Sequence, residues 1–176
     1  MAMMKTNILL IGPMGAGKST VGTLLAQSLN YQFYDVDKKI EERAGVDIPQ
    51  IFATEGESGF RKREAEMLAE LTALTGVVLA TGGGAILAVN NRKLLASRGI
   101  VIYLQVSLEQ QLVRVDNGQG RPLLNNTNIA ERLQKLQIER GPLYLALANH
   151  VVNTDNLSPN DIVNSILNIT RTKITE

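Results

Sequence analysis

Residues Gly12-Pro13-Met14-Gly15-Ala16-Gly17-Lys18-Ser19 constrain this chain more than any other stretch, because they fit the phosphate-binding pattern G-x-x-x-x-G-K-[ST]. The flanks agree. The apolar run Asn7-Ile8-Leu9-Leu10-Ile11 before it reads as a buried parallel strand. After it, Val21, Leu24, Leu25, Ser28 and Leu29 recur at helical spacing. Gly12, Gly15 and Gly17 let the backbone close on an anion, since no Cβ blocks the approach. Successive N–H groups and the positive end of the following helix then face the phosphates. Lys18 would reach the β- and γ-phosphates, and Ser19 would offer its hydroxyl to Mg²⁺. The motif and its context together predict a nucleoside triphosphate as ligand.

Composition excludes several other classes. The 176 residues suffice for one compact domain, and with 44% hydrophobic and 20% charged residues they are typical of globular proteins. The net charge of +1 gives no field for nucleic acid or an anionic membrane. Without cysteine there is no disulfide or thiolate metal site. The N-terminal Met1-Ala2-Met3-Met4-Lys5 has no long apolar segment of a signal peptide, and no run is long enough to span a bilayer. These features predict a cytoplasmic enzyme that binds neither nucleic acid nor membrane, with a monomer as the default.

Five strand candidates, Asn7–Ile11, Gln32–Asp35, Val77–Ala80, Ile100–Leu104 and Val151–Asn153, alternate with helical stretches. This predicts a parallel sheet with helices on both faces and ligands at the carboxyl ends of the strands. After the second strand, Asp35 and Asp37 are spaced so that both carboxylates can point the same way; equally, Asp37 can simply cap a helix over Lys38–Ala44. A long helix is expected to open at Ser58 or Gly59. On it Phe60, Glu64, Met67, Leu71 and Leu74 form an inward stripe, with Arg61 placed to pair with Glu64 and Lys62 and Arg63 solvated. Arg61 is read either as half of a structural ion pair or as an anion fork. Thr81-Gly82-Gly83-Gly84 ends the third strand with a surface free of side chains and without the acid that often follows such a strand in nucleotide-binding folds. A helix from Ser107 to about Val115 leads into the polar, glycine-rich stretch 116–126, which reads as a mobile loop with Arg114 and Arg121 beside it. On the next helix, from about Asn128, Arg140 continues the stripe Ile129, Leu133, Leu136 and should point inward; Gly141-Pro142 should end or kink that helix. His150, the sole histidine, has no catalytic or metal-binding company in the sequence.

Taken in order, Gly12–Ser19, Asp35-x-Asp37, Phe60-Arg61-x-x-Glu64, Gly82-Gly83-Gly84, Arg121-Pro122-Leu123-Leu124 and Arg140-x-x-x-Tyr144 resemble the motif series of the shikimate kinases, from about Thr6 to Ile166. The resemblance implies a three-layer α/β P-loop fold. Its five-stranded parallel sheet would have order 2-3-1-4-5, within a single domain over residues 1–176. The acceptor-binding region would lie at about 36–64 and a lid at about 114–126. It implies transfer of the ATP γ-phosphate to the 3-hydroxyl of shikimate, in aromatic amino-acid biosynthesis, with one Mg²⁺ per subunit. ATP would then meet Gly15, Ala16, Gly17, Lys18, Ser19 and Thr20, with Arg114 against the adenine and Arg121 folding in with the lid. Asp37 would orient or deprotonate the attacking hydroxyl, making Lys18, Asp37 and Arg121 the catalytic set. Arg61 and Arg140 would clamp the shikimate carboxylate, Gly82, Gly83 and Gly84 would meet its ring hydroxyls, and Glu64 would support Arg61. Ser19 and Asp35 would serve the metal.

Three rivals share parts of this pattern. A gluconate or nucleoside-monophosphate kinase would use the same scaffold. A GTP-dependent switch would need a guanine-reading Asn-Lys-x-Asp, which does not occur in the sequence. A binding-only protein with an inactive loop is disfavoured by intact Lys18, Ser19, Asp35 and Asp37.

Overall fold

The computed structural model describes residues 5–116 and 129–174. Their strands are β1 (Ile8–Ile11), β2 (Gln32–Asp35), β3 (Val77–Ala80), β4 (Ile100–Gln105) and β5 (His150–Asn153), all parallel, in the order β2-β3-β1-β4-β5. The helices are α1 (Lys18–Leu29), α2 (Val36–Ala44), α3 (Ile48–Thr72), α4 (Val89–Arg98), α5 (Leu108–Asp116), α6 (Ile129–Leu147) and α7 (Pro159–Ile174). Among the described residues, no helix is long and apolar enough to cross a membrane.

The central strand explains the three layers. All four residues of β1 are buried, as a strand covered on both faces must be. Leu9 and Ile11 face one cluster with Ile40, Phe60, Leu68, Leu95 and Tyr144, which belong to α2, α3, α4 and α6. Ile8 and Leu10 face the other, with Val21, Leu25, Ile162 and Ile166 of α1 and α7. On α1 the buried positions are Val21, Gly22, Leu25 and Ala26; the Ser28 expected on that stripe is exposed.

Three local expectations are corrected. The helix expected to open at Ser58 or Gly59 begins ten residues earlier, where the Asp47 side chain accepts from Gln50 N at 2.9 Å and Pro49 sits in the first turn. It is two helical segments meeting at Gly56, whose φ of 70° and ψ of −175° break the helical run. Arg63, on the solvent side as expected, reaches across that break with a bidentate pair to Glu55 at 2.6 and 2.9 Å. Leu74, expected on the inward stripe, lies past the helix end and is exposed. Finally, α6 runs through Gly141-Pro142 to Leu147 rather than stopping there. The carbonyl that Pro142 leaves without its helical partner belongs to Ile138, which is exposed, so water can take its place, while the next turn gains the burial of Tyr144.

At the amino-terminal ends of β1, β3 and β4, Asn7 acts as a junction. Its Nδ2 donates to the carbonyls of Leu74 (2.6 Å), Arg98 (3.3 Å) and Thr72 (3.4 Å), and its Oδ1 accepts from Val77 N at 3.1 Å. Asn7→Ala would strand several of these buried groups, costing about 3 kcal/mol. The expected thermal denaturation midpoint falls by roughly 6–12 °C, with the secondary structure of the folded variant unaltered below it.

Candidate active site

The P-loop follows β1 directly. At Gly12, with φ of 148°, a Cβ would stand 2.6 Å from the Leu104 carbonyl oxygen, so glycine is required both for the backbone angle and for the space. Gly15 and Gly17 also hold positive φ, and Ala16 is fully buried under the loop. Lys18 curls back, donating to the carbonyls of Gly12 (2.7 Å) and Pro13 (2.8 Å). Thr20 is exposed on the first turn of α1. Behind the loop, α5 holds two of its carbonyls: Gln111 Nε2 donates to Met14 O at 2.8 Å and Arg114 Nη1 to Gly15 O at 3.0 Å. Arg114 also donates to Thr154 Oγ1 and O at 3.1 and 2.9 Å, tying the loop to the end of β5.

Asp35 and Asp37 lie close enough for Asp35 to be the leading like charge on Asp37, but they meet different partners. The helix begins at Val36, so Asp35 is its N-cap and accepts from Lys38 N at 3.2 Å, while Asp37 sits in the first turn. Asp35, not Asp37, is the cap. Its other oxygen accepts from Ser19 Oγ at 2.5 Å, bringing the hydroxyl and carboxylate together at the mouth of the P-loop. Asp37 turns instead toward the glycine run, its Oδ1 2.8 Å from where a Gly82 Cβ would stand. That oxygen is buried without a hydrogen-bond partner. Burial above all, then the carboxylates of Asp35 and Glu64, push the Asp37 pKa up to about 6 against the opposing pull of Lys18.

At Gly82 and Gly84 a larger residue would strike the groups around the run, and at Gly83 a Cβ would just touch them. Glu64 Oε2 lies 3.2 Å from the Cβ position of Gly82, and Arg61 Nη1 2.8 Å from that of Gly84. At Gly83, Arg140 Nη1 is 3.5 Å, the Tyr144 hydroxyl 3.6 Å and the Gly12 carbonyl of the P-loop 3.7 Å away. Glu64 is 1% exposed and accepts from Arg61 Nη1 at 2.8 Å through Oε1, while its Oε2 has no partner. Burial raises its pKa, countered by Arg61 and Arg140. Arg61 is also 3.5 Å from the exposed Glu57. Arg140 is half-buried, and its Nε has no partner. Two guanidinium groups therefore face one buried carboxylate beside the glycine floor, a surplus of positive charge suited to a carboxylate ligand.

The family model for shikimate kinase matches residues 14–171. The chain belongs to the shikimate kinase family. It is 52% identical over 164 residues to a shikimate kinase of Methylococcus capsulatus, covering 93% of this chain and 92% of that one. A shikimate kinase of Vibrio parahaemolyticus is 50% identical over 163 residues, covering 93% and 95%. Among solved structures, a shikimate kinase from Acinetobacter baumannii in complex with shikimate superimposes with a TM-score of 0.92 at 44% identity, covering 98% of this chain and 96% of that one.

Within this shikimate kinase fold, Lys18, Ser19, Asp35, Asp37, Arg61, Glu64, Gly82, Gly83, Gly84 and Arg140 gather at the carboxyl ends of β1, β2 and β3. Arg114 lies on the far side of the P-loop, gripping its backbone. The first residues of the expected lid, 114–116, are the last turn of α5; Arg121 and the rest of that segment lie outside the described residues. Sequence reasoning assigned no role to Tyr144, Gln111 or Glu57. Tyr144 and Glu57 were within reach of it, since each stands four residues along a helix from a named arginine. Gln111 meets a residue 97 positions away, and nothing local signals that.

Proposed function

We propose that this chain transfers the γ-phosphate of ATP to the 3-hydroxyl of shikimate, giving shikimate 3-phosphate and ADP, a step of chorismate and aromatic amino-acid biosynthesis. The observation that carries the reading is the convergence of Asp37, Arg61 and Arg140 on one glycine floor, adjoining the P-loop at Gly12. A small polyol acid needs one anchor for its carboxylate and another for its hydroxyls. Arg61 and Arg140 serve the first need; Asp37 and the backbone of Gly82–Gly84 serve the second.

Phosphoryl transfer asks the protein mainly for positioning and charge stabilisation. The N–H groups of Gly15, Ala16, Gly17, Lys18, Ser19 and Thr20 hold the phosphates, and the Lys18 ammonium exchanges the carbonyls of Gly12 and Pro13 for phosphate oxygens. Asp37, poised near pH 6 and free at Oδ1, accepts a hydrogen bond from the attacking hydroxyl, orients it and takes its proton as the bond to phosphorus forms. Arg121 supplies a further positive charge from the lid, and Arg114 borders the adenine. Ser19 and Asp35 fit Mg²⁺, since a hydroxyl and a carboxylate are hard oxygen donors. Among the described residues, no group of three or more acidic, His or Cys side chains could cage an ion, so phosphates and water would complete the shell. The ion would offset phosphate charge.

The test is ADP release with ATP, Mg²⁺ and shikimate, run beside gluconate and CMP. Shikimate-dependent turnover at least a hundredfold above either alternative is expected. Turnover with gluconate or CMP alone, or only background ATP hydrolysis, would overturn the acceptor assignment.

A further inference from the structure

We infer that Tyr144 is a positioning residue for the acceptor, acting by locking the middle peptide of the glycine floor; this rests on the function proposed above. Three consecutive glycines have more backbone freedom than any other tripeptide. A floor that must present fixed N–H groups to a ligand therefore needs its carbonyls held. Two are held locally: Gly82 O accepts from Ala85 N and Gly84 O from Leu87 N, both at 3.1 Å. Gly83 O is held from outside the turn, by the Tyr144 hydroxyl of α6 at 2.5 Å, across 61 residues. In a trans peptide the carbonyl and the next N–H point opposite ways. The bond to Gly83 O thus fixes the direction of the Gly84 N–H.

The tyrosine is well placed to act as a fixed post. It is 2% exposed, and its ring stacks on Tyr103 of β4 with centroids 5.0 Å apart and planes inclined by 24°. Arg140 lies one helical turn before it, and the two side-chain heads flank Gly83. One hydroxyl therefore sets the floor relative to the helix that carries the arginine, so hydroxyl and carboxylate contacts keep a common frame.

Tyr144→Phe removes only the hydroxyl and keeps the stacked ring. The expected result is a shikimate KM raised about five- to tenfold, with kcat and the ATP KM within twofold of wild type. Tyr103→Phe is the control, since it alters the same aromatic pair without touching Gly83; its shikimate KM should stay within twofold. A shikimate KM unmoved in Tyr144→Phe, an equal rise in both variants, or an equal loss for ATP would overturn the assignment. Equilibrium titration of shikimate at low temperature makes the same comparison if the variant is less heat-stable. Wild-type turnover is measured first, and its absence with shikimate would remove the function proposed above, and this role with it, before either variant is read.

Discussion

Asp37→Asn is expected to lower kcat at least a hundredfold and, at neutral pH, to make the empty protein more stable. Both effects come from the same carboxylate. Its Oδ1 is buried beside Gly82 with no partner, and Asp35 and Glu64 crowd it with like charge. Asparagine keeps the shape but cannot take the proton, so a loss within the usual 10²–10⁴ range of general base catalysis is expected. In the wild type, kcat/KM should fall tenfold per pH unit below about 6, where the carboxylate becomes protonated. The stability effect has the opposite sense from that of a salt-bridged carboxylate. Because the folded pKa is raised from an ordinary 3.8 to about 6, the native state binds the proton more tightly than the unfolded chain. Stability therefore rises as pH falls from about 6 toward about 4, and ionised Asp37 destabilises the fold at neutral pH. The cost is at most about 3 kcal/mol, so the neutral variant should melt up to roughly 6–12 °C higher at pH 7.5 and show little gain near pH 4. Calorimetric scans across that range, beside the pH–rate profile, check both halves. Retention of most of the wild-type kcat would remove Asp37 from the chemistry.

The residues that could be read from sequence share a physical trait: their signal is local. Parallel strands buried on both faces are continuous apolar runs, so Val77–Ala80 stands where the sequence places it. The P-loop is one contiguous motif. Strand order came through the resemblance, because crossovers leave no mark in local periodicity. The spacing of Asp35 and Asp37 was informative only in part. The strand ends at Asp35, which is the extended N-cap of α2, so the two carboxylates stay near enough for Asp35 to be the leading like charge on Asp37 yet meet different partners. One carboxylate goes to Ser19 and the other to the glycine floor. The start of α3 was hidden because its cap, Asp47, precedes a first segment that Gly56 separates from the long apolar stripe. The ties from Gln111 to Met14 and from Tyr144 to Gly83 depend on the fold having already formed.

Arg61 pairs with Glu64 and is proposed to grip the acceptor carboxylate; a single substitution confounds the two, and a double variant separates them. Glu64 is 1% exposed, and Arg61 at 2.8 Å is the partner that makes its burial tolerable. Removing one member of a buried ion pair leaves the other uncompensated, at a cost of about 3–5 kcal/mol. Arg61→Ala should therefore lower the melting midpoint by roughly 6–20 °C and raise the shikimate KM as well. The rise expected from losing a charge-assisted contact of about 1.5–3 kcal/mol is roughly 10–150-fold. Replacing Glu64 by glutamine in the same chain removes the stranded charge. Arg61→Ala/Glu64→Gln should then recover most of the thermal stability while the shikimate KM stays high, because nothing has restored the fork. Arg140→Ala should raise the shikimate KM with a smaller loss of stability, since Arg140 is half-buried and holds no ion pair with Glu64 as close as that of Arg61. If the double variant regained both stability and wild-type KM, Arg61 would be a structural partner of Glu64 alone, and the carboxylate clamp would reduce to Arg140.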